Sequence, residues 1–132
     1  MDLYFAEFFS RSQQSETRFL LLTQALEVYH RVKWRNKKPL RQRLEELVRN
    51  HPETLKPIIS EPESFAGLVT ETRNHFTHWG SPASPIISDD ELPAFTDRVR
   101  RLLQICILSD IDIPNTAAQR IIAEPLPKVI AF

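Results

Sequence analysis

The sequence has one cysteine and two glycines in 132 residues. A single cysteine cannot form an intrachain disulfide or a four-cysteine zinc site, so both kinds of stapled scaffold are excluded. Cys106 lies in an apolar run, where we expect an inert core thiol rather than a nucleophile. The chain also lacks a Gly-rich phosphate loop, an alternating strand pattern and an internal repeat.

Long hydrophobic runs are missing as well. No segment approaches the roughly 20 apolar residues that a membrane span needs, and the first residues, with Asp2 and Glu7, do not resemble a signal peptide. We therefore expect a soluble, cytoplasmic protein. The length and the 42% hydrophobic and 26% charged composition fit one globular domain. That domain is expected to cover residues 1–132, as a whole protein or as a fragment of a larger one.

Apolar residues recur at spacings of three and four, which is typical of amphipathic helices. Helices are predicted at 3–9, from 16 to about 32, at 40–50, 63–79, from 91 to about 106, and at 115–123. Ser15 and Asp90 are the expected N-caps of two of them. The apolar stripe on the second helix is wide, so that helix should be buried on much of its circumference. The predicted fold class is all-α, a single-domain bundle of four to five helices.

Residues 73–79, with the sequence RNHFTHW, concentrate the chemistry of the chain. Arginine is a permanent cation suited to gripping phosphate, and histidine transfers protons near neutral pH. Metal-free cleavage of a phosphodiester needs this combination. The other interpretation is an ordinary polar helix face, in which Arg73 and His78 pair with Glu71.

Helical geometry limits how these residues cooperate. Glu71, Asn74, His75 and His78 are three or four residues apart and therefore share one face. Arg73 points about 140° away from His78 around an ideal helix. Either the helix end is distorted, or two copies of the chain build one site in a symmetric dimer.

A metal site is the weaker hypothesis for the same residues. Glu71, His75 and His78 supply three local ligands, but no second ligand pair accompanies them. We expect neither a metal nor another cofactor.

A second feature is the basic run at residues 31–43, which contains no acidic residue although the net charge of the chain is zero. One interpretation is a solvated turn between two helices. The other is a surface for RNA phosphates, with a tryptophan on which bases stack. The candidate RNA-binding residues are Lys33, Trp34, Arg35, Lys37, Lys38 and Arg41.

The string RNHFTHW resembles the signature of HEPN domains, in which an arginine and a polar residue precede a histidine by a few positions. More narrowly, it is similar to the Apea-like HEPN group, where arginine, asparagine, an aromatic, threonine, histidine and another aromatic follow in this order. The segment FLLLTQALEVYHR at residues 19–31 resembles the first core helix of that group. The resemblance covers residues 19–114.

This resemblance implies an all-helical, metal-independent endoribonuclease that acts as a homodimer with a composite active site. The RNA 2′-hydroxyl would attack the adjacent phosphorus and leave a 2′,3′-cyclic phosphate and a 5′-hydroxyl. Arg73 would contact the scissile phosphate, Asn74 would position it or the histidine, and His78 would transfer protons. The supporting candidates are His75, Glu71 and Glu27.

The resemblance also implies a biological role. Many HEPN proteins are toxins or antiviral defence effectors, so an antitoxin or a sensor domain is a candidate partner. The alternative is a non-catalytic helical module that binds RNA or dimerises, because HEPN folds also occur without activity.

Overall fold

The computed structural model describes residues 3–78 and 87–111, and their side chains from residue 14 onward. These residues form five helices and no strand, which confirms the all-α prediction. The helices are α1 (Leu3–Trp34), α2 (Leu40–Arg49), α3 (Pro52–Leu55), α4 (Pro62–Thr77) and α5 (Leu92–Asp110). Trp79, the predicted last residue of a helix, and the helix predicted at 115–123 lie outside the described residues.

Two predicted helix starts are wrong. Helix α1 is continuous from Leu3 to Trp34, so Ser15 lies inside a helix and does not cap one. No proline or glycine interrupts these residues, and serine is tolerated within a helix although it favours caps. Helix α5 is preceded by Glu91 at the N-cap position rather than by Asp90.

The end of α1 is set by the backbone of Arg35. This residue has a φ of 51°, a left-handed conformation that side chains with a Cβ disfavour. Its N–H donates to the carbonyl of Arg31 at 2.8 Å. Pro39 then takes the N-cap position of α2, so that this helix begins at Leu40, where the sequence predicted it. The tight turn between α1 and α2 carries the middle of the basic run, with Arg35, Lys37 and Lys38.

The core forms where α1 packs mainly on α5 and α2 packs mainly on α4. The inner stripe of α1 consists of Phe19, Thr23, Leu26 and His30, all buried. Cys106 of α5 is fully buried as well, and burial raises the pKa of its thiol to about 12. The thiol therefore stays protonated at neutral pH, as expected for an inert core residue.

Ring contacts show how α1, α4 and α5 run. Phe19 of α1 stacks on Phe95 near the start of α5 at 5.8 Å between ring centroids. The Tyr29 hydroxyl, further along α1, donates to the carbonyl of Cys106 near the end of α5 at 3.1 Å. The two helices therefore run in the same direction. Phe19 also meets Phe76 near the end of α4, ring edge to ring face, at 5.7 Å.

Length and apolarity decide whether a helix can cross a membrane. None of the helices within residues 3–78 and 87–111 combines the length and the apolarity that a bilayer crossing needs.

Candidate active site at the end of helix α4

Residues 73–78 of the RNHFTHW segment form the last part of α4 and its C-cap. The helix ends at Thr77, two residues earlier than predicted, and His78 is its C-cap with φ −105° and ψ 99°. The His78 N–H still donates to the carbonyl of Asn74 at 3.0 Å. Because His78 has left helical geometry, the ideal angle of 140° between it and Arg73 no longer applies strictly. Arg73 thus lies in the last part of α4, and His78 lies just outside the helix.

Arg73 is held by an acidic residue from the neighbouring helix. Its Nη1 lies 3.2 Å from Oε1 of Glu27 on α1. Its Nε is buried and has no hydrogen-bond partner among the described residues. The structure thus brings together Arg73 and Glu27, which the resemblance had singled out. One edge of the guanidinium faces Glu27, and the group keeps donors for a further anion.

The remaining polar residues of α4 are placed differently. Asn74 and His78 are exposed, whereas His75 is half-buried. No hydrogen bond or ion pair joins Glu71 to His75 within the described part of the chain, although both were predicted as supporting residues. Glu71 points to solvent at the outer surface of α4. Support of His75 by Glu71 is therefore not part of this geometry.

His75 instead lies near an acidic residue from another part of the chain, Glu16 on α1. Burial raises the pKa of the Glu16 carboxyl on α1, the negative charge of Asp89 raises it further, and the imidazole of His75 lowers it. The Nδ1 atom of His75 is buried without a hydrogen-bond partner among the described residues. No local sequence pattern indicates this cluster, since Glu16 meets His75 and Asp89 only through the packing of three segments.

The aromatic residue of the motif anchors the segment to the core. The ring of Phe76 packs on fully buried Phe19 and also lies 5.7 Å from the ring of His75. The hydroxyl of Thr77 donates to the carbonyl of Arg73 at 3.0 Å. Both contacts fix the last turn of α4, so the exposed polar groups project from a rigid base.

Most of the basic run is already paired within the chain. Lys33 contacts Asp110 at 2.8 Å, Lys38 contacts Glu46, and Arg41 lies 3.6 Å from Glu45. Bonding to Asp110 raises the pKa of the Lys33 amine, so this lysine is a firm cation. These charges are offset locally, which narrows the predicted surface for phosphates.

The aromatic residue of the run is also engaged. The ring of Trp34 lies 4.6 Å from that of His30, which is fully buried and whose Nε2 is 2.6 Å from the Glu46 carboxylate. Trp34 is therefore partly buried by this contact. At most one face of its ring is left on which an RNA base could stack.

Arg43 holds the turn between α1 and α2 from inside. It is 8% exposed, and its guanidinium donates to the carbonyls of Lys38 at 2.6 Å and Asn36 at 3.1 Å. Arg35 and Lys37 project from the turn that Arg43 shapes. Both are exposed, and neither has an ion-pair partner among the residues that the structure describes. The turn lies about 10 Å along α1 from Glu27, since seven residues separate Glu27 from Trp34.

The described residues do not include a cluster of three or more His, Cys, Asp or Glu side chains placed to hold a metal ion. The three ligands of the metal hypothesis, Glu71, His75 and His78, are not brought together.

Comparison with known proteins finds one family. The model of that family, described as Apea-like HEPN, matches residues 20–117. Neither the curated proteins nor the solved structures give a significant match to the chain.

Proposed function

The chain belongs to the Apea-like HEPN family, whose model matches residues 20–117, and we propose that it is a metal-independent endoribonuclease. HEPN domains are often RNases, and they commonly bind RNA and dimerise. The observation that carries the proposal is the placement of Arg73 and His78 at the end of α4. Arg73 is oriented by Glu27, and His78 is open to solvent.

The role proposed for Arg73 is charge stabilisation. Cleavage adds negative charge to the non-bridging phosphate oxygens in the transition state, and preorganised cations in a partly dehydrated site stabilise such charge. The guanidinium of Arg73 is half-buried, and its contact with Glu27 at 3.2 Å limits its rotation. Asn74, exposed one residue further on, is proposed to hydrogen-bond the phosphate or the catalytic histidine.

The role proposed for His78 is proton transfer. The 2′-oxygen forms a bond to phosphorus as its proton passes to a base, and the bond from phosphorus to the 5′-oxygen breaks as that oxygen gains a proton. The products are a 2′,3′-cyclic phosphate and a 5′-hydroxyl. DNA lacks the attacking hydroxyl and is therefore not cut. Arginine and histidine supply both the charge and the proton transfer, so the reaction needs no metal ion.

The proposed active unit is a homodimer. Within one chain the Arg73 guanidinium is directed to Glu27 on α1, while His78 lies beyond the last turn of α4. A twofold axis near this end of α4 would bring Arg73 of one copy to His78 of the other, because an isologous interface pairs the same patch with itself.

The cellular role follows from the family. We propose a toxin-like or antiviral defence effector, held in check by an antitoxin or by a sensor domain. Uncontrolled RNA cleavage would harm the cell that makes the enzyme, so such a restraint is required.

The direct test is cleavage of a labelled mixed-sequence RNA in EDTA by the purified chain. We expect wild type to cut RNA but not the matching DNA, and to leave cyclic phosphate ends. His78→Ala should abolish cutting, whereas His51→Ala, at the start of α3, should not. An active and folded His78→Ala protein would overturn the assignment.

One observation favours a second function, a non-catalytic module that binds RNA or dimerises. The Glu27 carboxylate offsets the charge of Arg73, and three cations of the basic run are also paired. A folded dimer that binds RNA without cutting it, even when mixed with a cellular extract, would support this function instead.

A further inference from the structure

Helix α1 has a second apolar side that the described residues leave open. Its inner stripe, with Phe19 and Leu26, faces the core. Leu21, Val28 and Val32 lie roughly opposite that stripe around the helix, and they are 60%, 39% and 68% exposed. The sequence predicted that this helix is buried on much of its circumference. No described residue covers the outer stripe, so this part of the helix surface is exposed although the prediction had it buried.

Helix α5 continues the same surface. Leu103 and Ile107 join the outer stripe of α1 to form a groove of about 480 Å³. Ile107 is 47% exposed, and Ile111, directly after the helix, is 63% exposed. The groove is lined by Leu21, Gln24, Ala25, Val28, Tyr29, Leu103 and Ile107. The large exposed hydrophobic side chains of the described residues all belong to this face, and such a patch marks an interaction site.

We propose that this groove, which we name the α1/α5 groove, is the docking site of residues 112–132 of the same chain. These residues follow Ile111 directly, so they leave α5 at the edge of the groove. From Tyr29 to Leu21 the groove extends about 12 Å along α1, and the 21 residues of the segment span more than that even at helical rise.

The sequence of this segment fits an apolar groove. Ala117, Ala118, Ile121 and Ile122 recur at spacings of three and four, which predicts one apolar stripe. Pro114, shortly after α5, favours a break there, so that the chain can turn back. Only Asp112, Arg120, Glu124 and Lys128 are charged in this segment. An uncharged groove therefore meets a weakly charged, apolar partner.

The attached segment has an advantage over other occupants. A tethered partner acts at an effective concentration of roughly millimolar, far above that of a second copy at micromolar protein. The residues before Leu21 cannot turn back into the groove, because α1 is continuous from Leu3.

The first test uses trypsin, which cleaves after Arg120 and Lys128. In the full chain, Leu21→Gln with Val28→Gln should speed cleavage at Arg120 by about tenfold or more, because cleavage follows the undocked population. Thr17→Gln, at an exposed site of α1 outside the groove, is the matched control and should leave the rate unchanged. Equal rates in all three proteins would overturn the proposal.

The second test identifies the occupant by methyl NMR of the full chain. Ile121→Gln with Ile122→Gln should shift the methyl signals of Val28 and Ile107 and leave those of Leu47 and Ile59 in place. The wild-type positions should not change on tenfold dilution, because docking is intramolecular. Absent shifts, or a pattern that dilution reverses, would overturn the proposal, and the second result would assign the groove to another copy. Neither test depends on ribonuclease activity.

Discussion

The Nη1 of Arg73 lies 3.2 Å from Oε1 of Glu27, so the cation proposed to hold phosphate already contacts a carboxylate. The two side chains are 32% and 33% exposed, and a pair this accessible contributes about 0.2–1 kcal/mol to stability. An arriving phosphate can therefore share or replace this partner at small cost. In the proposed mechanism, Glu27 orients Arg73 before substrate binds, and its charge opposes the phosphate afterwards.

Glu27→Gln tests both effects. The amide keeps a hydrogen-bond acceptor for Arg73 but loses the negative charge, so we expect RNA to bind about threefold to tenfold more tightly. Cleavage by the bound enzyme should slow, because the guanidinium is held less firmly. Binding is measured by anisotropy with a 2′-O-methyl RNA that cannot react, and cleavage by single-turnover kinetics. Glu63→Gln, which breaks the exposed Arg49–Glu63 pair, is the control. The same response in both variants would contradict a role specific to Glu27.

A second prediction concerns the basic turn. Because Lys33, Lys38 and Arg41 form ion pairs, it is limited to Arg35 and Lys37. Arg35→Gln with Lys37→Gln should weaken RNA binding and reduce the slope of log Kd against log salt by about 1.4, because two phosphate contacts to a single strand are lost. The measurement is anisotropy across a series of salt concentrations. Lys56→Gln with Arg98→Gln removes two exposed cations elsewhere and should change neither quantity. An unchanged slope in the turn variant would identify the turn as a solvated connection.

Local sequence patterns predicted the helices because each depends on residues near one another in the chain. Spacings of three and four located α2, α4 and α5, and Pro39 and Pro52 marked the boundaries around α2. The start of α1 was wrong for a related reason. Ser15 is a good cap in isolation, but nothing in the preceding residues stops a helix, and the uninterrupted chain continues as one.

The surroundings of the site were beyond the reach of such patterns. Glu16 approaches His75 and Asp89 only after three segments pack, and Asp110 pairs with Lys33 across 77 positions. Spacing along the chain says nothing about such partners. Glu27 was predicted only from the resemblance to a family. A family motif includes residues that meet through packing, even though their spacing in the chain does not explain the contact.

The raised pKa of Glu16 is expected to lower the stability of the folded protein as the pH rises. Burial and Asp89 raise the pKa of this carboxyl in the folded protein above its ordinary 4.5. Its favourable contribution is complete below pH 4.5 and is lost as the pH rises through the folded value. At pH 7 the charged Glu16 is therefore destabilising.

Glu16→Gln should accordingly raise the melting temperature at pH 7 by about 1–3 °C, and the difference from wild type should vanish at pH 3.5. Thermal unfolding followed by circular dichroism measures both values. Glu53→Gln, at an exposed position of α3, is the control at each pH. A variant that melts below wild type at pH 7 would mean that the attraction between Glu16 and His75 outweighs burial and the repulsion from Asp89.

The composite site can be tested by mixing two inactive variants. In Arg73→Ala the chain keeps His78, and in His78→Ala it keeps Arg73. If each site takes Arg73 from one copy and His78 from the other, a mixed dimer contains one intact site and one site that lacks both residues. Random exchange makes half of the dimers mixed, so we expect roughly a quarter of wild-type activity to return. Cleavage of labelled RNA after exchange of the two proteins measures this fraction.

A matched reference has the same composition of side chains. It is a mixture of wild type with the double variant, Arg73→Ala with His78→Ala. In that mixture each mixed dimer has two broken sites, so activity comes only from the remaining wild-type dimers. A mixture of the single variants that stays inactive, although mass spectrometry shows mixed dimers, would place Arg73 and His78 of one site in the same chain.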